Sequence, residues 1–303
     1  DGSRAPSCGC RFGGRQLATA TPVHVNIGRN GSRRAGSYNL FLPSQADSST
    51  PLPLFLVLHG YTSDPETVAA DSMIMTVAEQ LGFAVVVPIG VDAGPGRGWA
   101  FPGCNSVPNI GASNTQCGRT ATCGPVGYAA GCRIAGCPSP AAVAENFGCG
   151  AAYTANATCS NPQTNCNWCG CDDDLAFVRD VLAHALAVSC IDRAKVYLTG
   201  MSQGGMMTSW LSARLGNLFA GFVPVSGTNP RGFFEYDTAL ALSQPTLGAM
   251  PWRLWLHGRN DTTVPYDGAP SAADSTGTQW WYEAVTTEAG NVATRYRCTG
   301  TPT

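Results

Sequence analysis

Apolar and polar side chains alternate through the first part of this chain. Val23, Val25 and Ile27 fall on one face of an extended segment, with His24 and Asn26 on the other. Ser37 to Leu42 alternates in the same way, and Asn30-Gly31 between the two supplies a turn, so two half-buried strands are predicted. The pattern then changes. Leu54 to Leu58 and Phe83 to Pro88 are continuous apolar runs, as in strands buried on both faces. Asp64 to Gln80, between them, reads as one helix with Asp64 as its cap and Pro65 at its first position. Further on, Phe177, Val181 and Val188 lie at helical spacing and predict a helix over 174–188. A strand at 195–199, a helix at 203–215, strands at 222–225 and 253–256 and a helix at 277–289 follow. Strands alternating with helices predict an α/β fold, a mostly parallel sheet covered on both faces.

Residues 100–171 break the rhythm. They are rich in Gly, Ala, Asn, Pro and Cys and carry no sustained period over a length too great for an ordinary loop. We read one domain over 15–303, preceded by a Gly/Arg/Cys-rich tail and interrupted at 100–171 by an insertion. The insertion leaves a strand and enters a helix, on the side of the sheet where active sites form. It reads equally as a lid or substrate wall and as a structural excursion.

Ten of the fourteen cysteines lie in that insertion. This even, dense count suits disulfides and an oxidising compartment, so a secreted protein is expected. Cys166-x-x-Cys169-x-Cys171 has ligand-like spacing, but its segment holds no histidine, and no metal is expected. The chain opens at Asp1-Gly2-Ser3, as a mature form would. A net charge of −2 offers no electrostatic argument for a nucleic-acid partner or an anionic membrane, and none is expected; Lys195 as the only lysine reads as a bias of base composition. No apolar run reaches the length of a membrane span.

The chemistry starts at Gly200-Met201-Ser202-Gln203-Gly204, followed by Gly205. It sits between the apolar run 195–199 and a helical stretch, the strand–turn–helix context in which G-x-S-x-G raises a nucleophile above a sheet. Side chains at Gly200 or Gly204 would collide with backbone in so tight a turn. A serine hydroxyl needs a base oriented by a carboxylate before it attacks. The carboxylate is expected at Asp261, just past the strand 253–256 and after the serine in chain order, with Asp267 as a weaker rival. The loop His59-Gly60-Tyr61-Thr62 follows the first buried strand. Its Tyr61 N–H and the Gln203 N–H are the expected oxyanion donors. Since the donors are backbone groups, side-chain identity there carries no information.

His59-Gly60, the Gly200–Gly205 elbow, Asp173 to Val178, and His257-Gly258-x-x-Asp261-x-x-Val264-Pro265-Tyr266 resemble the secreted feruloyl-esterase and polyhydroxybutyrate-depolymerase-like branch of the α/β-hydrolases. The resemblance covers roughly residues 35–100 and 171–298. It implies a monomeric carboxylic-ester hydrolase without cofactor, acting on a polyester or a hydroxycinnamoyl ester. It also implies a substrate contact at Trp99, where that family has a tryptophan loop.

One departure from the family stands out. Its catalytic histidine follows the acid, whereas His24, His59, His184 and His257 all precede Asp261. None is assigned as the base, and the final strand and histidine loop are expected beyond Thr303. Two other functions compete with an esterase: a serine peptidase of the same fold, and an inactive, Cys-rich binding protein.

Overall fold

The computed structural model describes residues 22–27, 36–47, 49–92, 97–99, 174–229, 251–268 and 282–295. The insertion expected at 100–171 and the Asn30-Gly31 turn lie outside these residues, as do thirteen of the fourteen cysteines, so the disulfide reading falls there too.

Within them the strands are β1 (Val23–Ile27), β2 (Gly36–Phe41), β3 (Leu52–Leu58), β4 (Ala84–Pro88), β7 (Ile191–Met201), β8 (Gly221–Val225) and β9 (Trp252–Arg253). They form one sheet in the order β1-β2-β4-β3-β7-β8-β9. From β4 to β9 every neighbouring pair is parallel, while β2 runs antiparallel to both β1 and β4. β5 (Val91–Asp92) and β6 (Arg97–Gly98) pair as a small separate ribbon.

The pleat of β4 divides the core. Ala84 and Val86 point to the face covered by α3 (Asp174–Val188) and α4 (Gln203–Arg214), where Leu54, Leu56, Leu198, Phe177, Val181 and Met206 pack. Val85 and Val87 point to the other face, against Val57, Val68 and Ala78. This explains why β4 reads as unbroken apolar sequence: both faces are buried.

Two helices differ from the sequence reading. The single helix expected over 64–80 is two, α1 (Pro65–Ser72) and α2 (Ile74–Leu81). Asp64 caps α1 as expected, accepting the Thr67 N–H at 2.7 Å. Met73 breaks the run by adopting a left-handed conformation, φ 52°, with its N–H returned to the Ala70 carbonyl. The break turns the chain so that Val68 of α1 and Ala78 of α2 both reach the core on that face. The last helix, α5 (Val285–Arg295), starts eight residues later than 277. Just ahead of it the Glu283 N–H is held by the Asn229 carbonyl and the Val285 N–H by the Tyr266 carbonyl. These tertiary bonds take the donors that an earlier helix would have used.

Candidate active site

β7 ends at Met201, and α4 begins at Gln203. Ser202 alone makes the turn between them, at φ 54° and ψ −120°. Such a backbone is strained for a residue with a Cβ and persists only where its surroundings hold it. Here the Ser202 N–H is donated to the Val225 carbonyl and the Ser202 carbonyl accepts the Met206 N–H, both at 2.9 Å. The glycines around it leave no room for side chains. A Cβ on Gly200 would stand 2.5 Å from the Gly204 carbonyl. One on Gly204 would run into the Leu58 carbonyl and stand 2.6 Å from that of His59.

The loop after β3 lies against this elbow. A Cβ on Gly60 would be 3.6 Å from the Ser202 Cβ. The loop is pinned from outside by the Thr62 N–H, donated to the Arg97 carbonyl at 2.7 Å, with Thr62 itself at φ 62°. Gln203 opens α4, and its N–H belongs to the first turn, whose donors have no carbonyl four residues back. Tyr61 and Gln203 thus sit on the two chain segments that meet at Ser202.

A buried polar network joins those segments. The Gln203 side chain, fully buried, accepts the Trp99 backbone N–H at 3.0 Å and donates to the Trp99 carbonyl at 3.2 Å. The Trp99 indole N–H is donated to the His59 carbonyl at 2.7 Å. The His59 ring lies 4.8 Å from the Trp99 ring and accepts the Gly90 N–H at Nε2, 2.9 Å away. Nδ1 therefore carries the proton and donates to the Gly60 carbonyl at 2.8 Å. Trp99, implied as a substrate contact, is 1% exposed, with its indole N–H turned inward. The Gln203 side chain, which the sequence left without a role, clamps the loop ending β6 to the elbow. A glutamine directly after the serine is its only trace in sequence.

Asp261 lies past the 254–256 stretch, which continues the sheet beside β8: Leu256 bridges Val225, and the Ser226 N–H is donated to the Leu256 carbonyl at 2.8 Å. Asp261 Oδ1 accepts the Thr263 and Val264 N–H groups, each at 2.9 Å, which orients the carboxylate through its own turn. Oδ2 stands 3.7 Å from His257 Nε2. Tyr282, buried nearby, has its phenol held well above its usual range, first by burial and then by the Asp261 charge. The rival Asp267 is exposed.

All four histidines have other work. His24 Nδ1 is 3.2 Å from the Asn39 side-chain oxygen, and His184 Nδ1 is 2.8 Å from the Tyr38 hydroxyl. His257 Nε2 donates to the Val264 carbonyl at 2.6 Å, and both His59 nitrogens are engaged. No histidine ring of this sequence is hydrogen-bonded to Ser202 Oγ. Among the described residues, no group of His, Cys, Asp and Glu side chains is arranged to hold a metal.

Known structures share this arrangement of chain. The native form of pOPH aligns over 92% of this chain and 78% of its own, at 15% identity and a TM-score of 0.53. The acetyl xylan esterase of Aspergillus awamori aligns over 80% and 74%, at 16% identity and a TM-score of 0.50. This is the α/β-hydrolase fold. A model of the prolyl oligopeptidase family matches residues 172–251, about a quarter of the chain, a stretch that includes the Ser202 turn. No curated protein matches the sequence.

The Gln203 clamp makes a measurable prediction. Gln203→Leu keeps the bulk but leaves the Trp99 N–H and carbonyl buried and unpaired, at about 1–3 kcal/mol for each group orphaned. Thermal unfolding should report a loss of roughly 2–6 kcal/mol on that basis. An unchanged melting temperature would show that water restores both partners.

Proposed function

We propose that this protein is a serine ester hydrolase in which Ser202 attacks an acyl carbonyl. The observation that carries the reading is the Ser202 backbone itself, a strained turn between strand and helix, held by Val225 and Met206 and pressed against the Gly60 loop. A strained residue that its surroundings over-determine is a mark of a working site.

In this reading Ser202 Oγ forms a bond to the carbonyl carbon as its proton passes to a base. The carbonyl oxygen becomes an oxyanion, which the Tyr61 and Gln203 N–H groups stabilise. Collapse of the adduct expels the alcohol and leaves an acyl-enzyme, which water then hydrolyses. Asp261 is the carboxylate that orients the base; its Oδ1 is fixed by two N–H groups, and Oδ2 stands 3.7 Å from His257 Nε2. None of His24, His59, His184 and His257 is assigned as the base, since each ring holds another partner through at least one nitrogen. The substrate class we favour is a polyester or hydroxycinnamoyl ester, on the motifs around His59, Ser202 and Asp261. An exported, disulfide-bonded protein agrees with the cysteine count.

A peptidase reading has one observation behind it, the match of residues 172–251 to the prolyl oligopeptidase model. A substrate panel separates the two. We expect turnover of p-nitrophenyl acetate, p-nitrophenyl butyrate and methyl ferulate, and none of prolyl-peptide anilides. Anilide cleavage exceeding ester hydrolysis would reverse the assignment. No turnover, with no covalent labelling by a fluorophosphonate, would leave a binding protein on a hydrolase fold.

A further inference from the structure

Among the described residues two carboxyls that the proposed reaction does not use are deeply buried, those of Asp174 and Glu288, and that of Glu288 reaches the turn behind Ser202. Glu288, on α5, is 1% exposed, and its Oε2 accepts the Asn229 backbone N–H at 2.9 Å. Three further groups face the same carboxyl: the Ser209 hydroxyl on α4, and the Trp255 indole and Arg253 guanidinium beside and in β9. Ser209 Oγ and Trp255 Nε1 do so without reaching hydrogen-bonding geometry, which leaves the Asn229 N–H as the best-formed contact. Arg253 in turn bonds the hydroxyl and carbonyl of Ser212, so α4 is gripped from this side as well.

Asn229 closes the turn Ser226–Asn229, and that turn is where the two halves of the site meet. Ser226 is at φ 43°, the second strained serine among the described residues, and follows Val225, whose carbonyl accepts the Ser202 N–H. Its own N–H is donated to Leu256, five residues before Asp261. Gly227 packs so closely beneath the elbow that a Cβ there would run into the Ser202 carbonyl and stand 2.7 Å from the Met206 nitrogen. A strained turn in such contact keeps its shape only if its far end is held. Asn229 is that far end. Its N–H goes to Glu288 and its carbonyl accepts the Glu283 N–H.

We propose that Glu288 is a positioning residue: by holding Asn229 it fixes the 226–229 turn, and through that turn the Ser202 backbone and the Asp261-bearing stretch. This rests on the reading of Ser202 as nucleophile. Burying a carboxyl is unfavourable in itself, and burial pushes the Glu288 carboxyl above its ordinary range despite its partners. An apolar side chain at this position would avoid that penalty but could not accept the Asn229 N–H.

The test compares Glu288→Leu and Glu288→Gln with a remote core variant, Val181→Ala on α3. Two readouts are taken: the rate of fluorophosphonate labelling at Ser202, and amide hydrogen exchange at Ser202, Met206 and Asn229. We expect E288L to label at least tenfold more slowly and to lose protection at all three amides. E288Q, which still offers Asn229 an acceptor oxygen, should stay within about threefold of wild type in labelling, the span of one ordinary hydrogen bond. V181A should melt earlier yet label at the wild-type rate. Unchanged protection in E288L, or equal slowing in V181A at matched folded fraction, overturns the proposal. If the wild type itself does not label while E288L still loses protection, the esterase reading fails and the clamp stands. Should E288L not fold, Glu288→Asp carries the same comparison, since it keeps the carboxyl but withdraws it from Asn229 by one methylene.

Discussion

Ester hydrolysis and fluorophosphonate labelling should both be lost in Ser202→Ala, while the fold is kept. In the proposed reaction the hydroxyl oxygen bonds to the acyl carbon, so without it only the contribution of the oxyanion donors and of binding remains. Against p-nitrophenyl butyrate we expect a fall in kcat of at least about a hundredfold, the lower end of what an activated nucleophile and its base supply together. The backbone has reason to stay. Its N–H bond to Val225 and carbonyl bond from Met206 do not involve the hydroxyl, and among the described residues no side-chain bond of Ser202 caps α4. Thermal stability should therefore change by less than about 0.5 kcal/mol. Near-wild-type turnover in this variant would remove Ser202 from the mechanism.

The largest structural effect is expected from Gly204→Ala. A single methyl there meets main chain on the neighbouring strand, the carbonyls of Leu58 and His59, and neither can swing away as a side chain would. Either β3 or α4 must shift. Overpacking of this kind costs about 1–3 kcal/mol, and collision with backbone places it at the upper end or beyond. The shift also opens the gap between the Gly60 loop and Ser202, and misplacements of about 1 Å cost roughly a hundredfold in rate. Denaturant unfolding and kcat/KM should fall together. Wild-type stability would mean that the elbow is looser than its contacts indicate.

The parts of this molecule that could be read ahead share a property: their cause is local. Asp64 caps α1 because aspartate and the following proline suit a helix start whatever surrounds them. The runs 54–58 and 83–88 became β3 and β4 because only a strand covered on both sides tolerates so many adjacent apolar residues. The Ser202 turn was legible for the same reason, since glycines at 200 and 204 around a serine answer to steric limits within five residues. The break at Met73 was not legible. Nothing in its local sequence asks for a left-handed residue, and the bend follows from where the sheet lies beneath α1 and α2. The late start of α5 likewise depends on Asn229 and Tyr266, which are distant in sequence.

By itself, then, the sequence determined the layer architecture, the strand–serine–helix turn and the chain order of Ser202 and Asp261, because hydrophobic period and glycine sterics act over a few residues. Only the tertiary structure decided that Trp99 faces inward, that the Gln203 amide clamps it, that Glu288 holds Asn229, and that every histidine ring is committed away from Ser202. These are pairings of polar groups from distant segments, 104 residues apart for Trp99 and Gln203 and 146 for Tyr38 and His184. Such pairings follow from which donors and acceptors burial brings face to face and requires to be matched.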